Sequence, residues 1–269
     1  MGSLLSIVAV GFFLGMRHAT DPDHVIAVTT IVSRQRDITR AALTGFFWGV
    51  GHTLTILVVG AAIILLGFLI PARLGLSMEL CVGLMLMVLG LMNLVSFLRA
   101  APEASIEGHD GSLVVHSHPH IHGDYIHSHP LRHGAEVHPH RPDQTPLAYL
   151  DRMLGWIGVY QHLRPLIVGI VHGLAGSASV ALLVLAAIRN PRWAIAYLLV
   201  FGIGTIAGMM LITVALVFPF AYTANHSARM NRNLRIASGL VSLGLGIFVV
   251  YQIGIVNGLF SAHPRWTPK

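Results

Sequence analysis

The chain has 269 residues, of which 54% are hydrophobic and 10% charged, far below the charged fraction of about a quarter in soluble domains, and its mean hydropathy is +0.71. That excludes an ordinary soluble enzyme and predicts an integral membrane protein. The net charge of +6 comes from arginines scattered between apolar runs, as topology signals are, so no nucleic-acid partner is expected.

The cysteine and lysine inventory narrows the chemistry further. The single Cys81 can form neither an intramolecular disulfide nor a CxxC centre, so any metal must be held by nitrogen and oxygen. The only lysine, Lys269, lies at the C-terminus, which leaves no Walker A lysine and no buried Schiff-base lysine. No basic n-region or small-residue cleavage site precedes Arg17, so a cleaved signal peptide is not expected.

Runs of about 20 apolar residues mark transmembrane helices, and six are present, over 3–32, 41–70, 78–98, 165–188, 193–220 and 234–259. The first would measure about 45 Å as one helix, against a hydrocarbon core of roughly 30 Å. It also contains Pro22, which removes a backbone donor and clashes with the preceding turn. A break or kink in the first helix is therefore expected at this point.

The break coincides with Arg17-His18-Ala19-Thr20-Asp21-Pro22-Asp23-His24, which sets two histidines and two aspartates inside an apolar stretch. Ionisable groups at bilayer depth are costly and mark substrate or ion pathways. His18, Asp21 and His24 follow one another at i, i+3 spacing, so a regular or tightened turn brings them to neighbouring faces. Two imidazoles with one or two carboxylates suit a first-row divalent ion such as Ni(II), Co(II) or Zn(II), whereas Mg(II) and Ca(II) prefer oxygen alone. The competing role for Asp21 and Asp23 is to cap the helix that begins at Pro22; capping and ligation are compatible.

In the second span, His52 lies in Gly49-Val50-Gly51-His52-Thr53, where the glycines permit close helix approach. In the fourth, His172 begins His172-Gly173-Leu174 without carboxylates after it. Both are candidate ligands or relays, although an isolated buried histidine also serves as a hydrogen-bonded core residue. Asn93 and Ser96 in the third span are read as interhelical hydrogen bonds.

The two halves resemble each other. Gly15-Met16-Arg17-His18 matches Gly169-Ile170-Val171-His172, Phe47-Trp48-Gly49-Val50-Gly51-His52 matches Val200-Phe201-Gly202-Ile203-Gly204-Thr205, and Gly83-Leu84 through Leu89-Gly90 matches Gly239-Leu240 through Leu245-Gly246. The offsets, 154, 153 and 156, are nearly constant. Three spans per repeat invert the second half, an arrangement that places a substrate site near the midplane beside broken helices. With six spans, eleven basic residues fall on one side and five on the other, making the first side cytoplasmic.

Between the halves, ten histidines occur in the thirty-two residues from His109 to His140. A segment this polar is expected to be disordered without metal. His116, His118, His120, His122, His127 and His129 are secondary candidates for metal binding. Residues 147–163 read as an amphipathic helix along the inner surface.

His18-x4-Asp23-His24 resembles the signature of the nickel/cobalt transporter (NiCoT) family, and the Gly51-His52-Thr53 and His172-Gly173 segments resemble its other histidine-containing spans. Pro22 stands where the family has Ala. The six-span layout with a His-rich loop is closer to the related nickel/cobalt efflux proteins. The expectation is an all-α integral membrane protein with six transmembrane helices in an inverted 3+3 repeat. The first half spans 1–98, the largely disordered cytoplasmic loop spans 99–163, the second half spans 164–260, and a C-terminal tail spans 261–269. The resemblance implies a multi-pass cell-membrane transporter of Ni(II) or Co(II), binding at His18, Asp21, Asp23, His24, His52 and His172, with no resident cofactor and no catalysis. Uptake is favoured by the signature and efflux by the loop; a homo-oligomer is compatible with either. A membrane-embedded metalloenzyme is the alternative of another class, disfavoured because the spans carry one histidine cluster rather than several His boxes.

Overall fold

The computed structural model describes residues 2–33, 35, 37–66, 71–98, 115–122, 125–132, 163–174, 188 and 190–266. Helices α1 (Gly2–His18), α2 (Pro22–Val32), α3 (Ile38–Leu66) and α4 (Ala72–Leu98) are followed by α5 (Leu163–Leu174), α6 (Pro191–His226) and α7 (Ala228–Tyr251), which ends in a π turn over Gln252–Val256. Ile38–Leu66, Ala72–Val95, Pro191–Ala224 and Arg229–Val256 are long and apolar enough to cross a membrane, and Pro22–Val32 and Leu163–Leu174 are shorter apolar helices. Many large apolar side chains on them face outward, including Phe13, Val58, Ile203, Leu211 and Phe218, which is the surface lipid requires and water does not.

The expected break is present. α1 ends at His18, Thr20 N–H and Asp21 N–H donate back to the carbonyls of Arg17 and His18 in tightened i→i+3 turns, and α2 restarts with Pro22 in its first turn. Proline is at ease there because a first-turn N–H has no intrahelical partner. Asp21 occupies the N-cap position, yet its side chain makes no capping hydrogen bond.

Glycines set the spacing of the bundle. α1 runs parallel to α6, with Gly11 against Tyr197, Gly15 against Phe201 and Thr205, and Gly208 against Met16 and Ala19. α5 runs parallel to α3, with Gly51 against Leu166 and Gly169 against Trp48 and His52. The α3–α6 pair is antiparallel, Gly45 meeting Met209 and Gly202 meeting Thr53, and so is α4–α7, Gly83 meeting Val249 and Gly90 meeting Leu243. These contacts are reciprocal between the halves. Gly15 would collide with the Phe201 carbonyl if it carried a Cβ, and its counterpart Gly169 with the Trp48 carbonyl; Gly204 meets the Phe12 carbonyl, and Gly51 that of Leu166. Gly90 would bring a Cβ 2.6 Å from Leu243 N, and Gly246 one 2.7 Å from Met87 N.

Polar side chains tie α2 to the α4–α7 pair. Ser33 Oγ donates to Asn93 Oδ1 at 3.4 Å, and Asn93 Nδ2 donates to Ser238 Oγ and to the Arg235 carbonyl, both at 3.0 Å. Asn93 thus has the interhelical role its sequence position suggested; the Ser96 side chain lies outside the described residues. Glu79 also lies inside the third apolar span, an acidic residue in addition to Asp21 and Asp23. Trp266 Nε1 donates to its Oε1 at 2.9 Å, and the C-terminal segment packs there through Leu259 and Trp266 on Leu76 and Ile253. Gly258, at φ +66°, makes the turn that brings this segment back.

Within the His-rich loop, β1 (Val115–His122) pairs antiparallel with β2 (Tyr125–Arg132). The rest of the loop, for which disorder is expected, lies outside the described residues. Alternation along β1 and the two-residue Gly123-Asp124 link favour such a hairpin, a period-2 signal that the polarity of the segment obscured. The register opposes His118 to His129 and His120 to His127, so His116, His118, His120, His122, His127 and His129 are all positioned on one face. The amphipathic helix expected over 147–163 lies outside the described residues apart from Leu163.

Candidate metal centre

His52 falls at the midpoint of α3 and is fully buried. On one side of it along α3 and α6 lies an apolar cluster of Ala27, Val28, Val32, Ala41, Trp48, Met209 and Val217. On the other lies a second cluster of Ile56, Ile64, Ala194, Leu198 and Phe201. The polar centre is thus a thin layer between two greasy ones, the setting in which an unpaired charge or an unmet polar atom is most costly.

The helix break carries His18 and His24 into this layer from α1 and α2, and the close α3–α5 contact brings His172 beside them. His24 is the hub, with its ring centroid 4.2 Å from His172, 4.8 Å from His18 and 4.9 Å from His52. His18 Nε2 and His52 Nε2 are 3.1 Å apart. His172 Nε2 lies 3.1 Å from Asp23 Oδ2, and His24 Nδ1 3.1 Å from Asp23 Oδ1. Two donors of one first-row ion, each about 2.0–2.1 Å from it at right or tetrahedral angles, are separated by about 2.9–3.4 Å. The observed separations fall within that interval.

Several ring nitrogens have no other use. His24 Nε2, His52 Nδ1 and His172 Nδ1 are buried without a hydrogen-bond partner, and His172 Nε2, although close to Asp23, is not aligned to donate to it. A buried polar atom left unmet costs about 1–3 kcal/mol, which a cation held through His172 Nε2 would offset for that atom; the Nδ1 atoms of His52 and His172 lie across the ring from the close Nε2 contacts. His18 differs, because its Nδ1 lies 2.7 Å from Asp21 Oδ2. A carboxylate on the far nitrogen fixes the tautomer and leaves Nε2 with a free lone pair, the usual outer support of a metal-binding histidine.

Two trios of donors are close enough to hold an ion: His18 with His24 and His52, and Asp23 with His24 and His172, the ligand atoms of each lying within 4.8 Å of one another. Five of the six intramembrane residues expected from the sequence are therefore brought together. The sixth, Asp21, sits behind His18 in neither trio, with its side chain 48% exposed. No side-chain position is described for the six loop histidines.

The chain is 34% identical over 262 residues to urease accessory protein UreH of Bacillus sp. (strain TB-90), a match covering 97% of this chain and 98% of that protein. The chain belongs to the UreH family. No family model matches it, and no solved structure matches it.

In this UreH-family chain, sequence reasoning passed over two aromatic residues at the site. Trp48 is buried with its ring 5.8 Å from His24 and 5.6 Å from His172, and Phe201 lies 5.6 Å from His18. They are counterparts in the two halves, each one helical turn before His52 or Thr205. The 153-residue repeat offset contained that signal, since Trp48 and Phe201 are themselves 153 residues apart. Thr205 itself, the counterpart of His52, is spent within its own helix, donating to the Phe201 carbonyl at 3.0 Å.

Proposed function

We propose that this protein is a secondary membrane transporter of divalent transition-metal cations, with Ni(II) and Co(II) as substrates. The observation that carries the reading is the convergence of four imidazoles and a carboxylate from α1, α2, α3 and α5 at the midpoint of α3, between two apolar layers. Imidazole with carboxylate selects borderline divalent ions over Mg(II) and Ca(II). In this reading His18, Asp23, His24, His52 and His172 hold the ion, and Asp21 holds His18.

The reciprocal glycine contacts support two inverted halves of three spans each, with α1 and α2 counted as one broken span and α5 as the described part of the fourth. Alternating access is then rocking of one half against the other about a fixed midplane site. The relative's name, urease accessory protein, favours uptake, since an accessory to an enzyme supplies it. Efflux, with the loop buffering cytoplasmic metal, is the second reading, supported by the six histidines on one hairpin face.

Purified protein in liposomes is expected to carry radioactive nickel or cobalt, with a rate that responds to an imposed proton gradient if protons drive it; no flux of either metal under any gradient would end the proposal. Two further results are expected. Imidazole must be neutral to coordinate, and its reference pKa is about 6.5. Apparent affinity should therefore rise with pH through that range and fall steeply by roughly pH 5, and a flat profile in a binding titration points to oxygen ligands alone. Deleting residues 109–140 should lower the number of ions held per chain while liposome flux persists; loss of flux would move the loop into the transport path.

A further inference from the structure

Resting on the metal-transport reading above, we propose that the centre offers the cation two adjacent positions that share His24, and that the ion passes from one to the other during transport. The first position is His18, His24 and His52; the second is Asp23, His24 and His172. Donors of a single first-row ion cluster around it, and the ligand atoms of each trio lie within 4.8 Å of one another. The five donors together do not form one such group, and His24 is the residue common to both trios. One ion draws on one trio at a time, and His24 is the donor it keeps.

The positions differ in chemistry and in attachment. The first has nitrogen donors only, and its His52 is fully buried. The second includes a carboxylate whose side chain keeps 36% exposure, so it attracts a hydrated dication and is the place of capture or release. Every donor of the first position stands on α1, α2 or α3, whereas the second needs His172 of α5. Movement of α5 away from α2 dismantles the second position and leaves the first intact.

The test uses the full chain in detergent and in liposomes, with Co(II) as probe because its d–d absorption reports the donor set. Two double variants each remove one position: His18→Gln with His52→Gln, and Asp23→Asn with His172→Gln. Both are expected to bind one cobalt ion, at least roughly tenfold more weakly than wild type, with spectra that differ from each other, and both are expected to lose flux. A double variant that is monodisperse and binds no cobalt overturns the two-position scheme, as does one that keeps wild-type flux. Should either aggregate, the singles His52→Gln and His172→Gln serve in its place, and identical spectra in the two would overturn the scheme. Absence of flux in the wild type, with both variants still binding, would instead remove the transport reading and leave the two positions standing.

Discussion

His24→Ala is expected to abolish both cobalt binding and liposome transport while the protein still expresses and runs as a single species. The reason is its position as hub: it is the one side chain in both donor trios, and the other imidazoles are arranged around its ring. Removing it leaves at most two donors of either trio, and Asp23 loses one of its two imidazole neighbours. Truncating the buried imidazole also opens a cavity and removes the His24 Nδ1–Asp23 Oδ1 contact, whereas His24 Nε2 has no hydrogen bond to lose, so a lower unfolding midpoint is expected alongside the loss of binding. Isothermal titration and flux on the same preparation check the point. Wild-type flux in His24→Ala would remove the residue from the site and with it the assignment of the whole centre.

The second large effect is structural. Gly15→Ala and Gly169→Ala are each expected to lose most of the folded protein, because each new methyl would be driven into a backbone carbonyl, that of Phe201 or of Trp48, which cannot step aside as a side-chain tip can. Overpacking of this kind costs about 1–3 kcal/mol and sometimes more, and here it also pries apart the α1–α6 and α3–α5 contacts that deliver His18 and His172. Gly244→Ala is the matched control: nothing lies within 4 Å of the added carbon, so its midpoint should equal or slightly exceed that of wild type, alanine being the better helix former. Thermal unfolding followed by size-exclusion chromatography separates the cases. Equal midpoints for all three variants would mean that the close approaches at Gly15 and Gly169 are not needed for folding.

Much of the site was legible because its chemistry is out of place. Histidines and aspartates in an apolar run announce themselves, and Pro22 beside them announces the break. Glu79 shows the limit of that rule: it too is acidic within an apolar span, but its partner is Trp266, which sequence distance hides. The hairpin histidines show another: the alternation that positions all six on one face is a weak, period-2 signal within a strongly polar segment.

From the sequence alone followed the membrane class, the broken first helix, the repeat offsets and the identity of every intramembrane histidine and aspartate at the centre, since composition and spacing act locally and leave a trace in one dimension. Tertiary structure decided how those groups divide: Asp21 behind His18, Asp23 between His24 and His172, and His24 common to both trios. That division depends on how closely α3 approaches α5 and α1 approaches α6, distances set by glycines meeting backbone more than a hundred residues away, and no local pattern encodes which carbonyl a missing side chain will face.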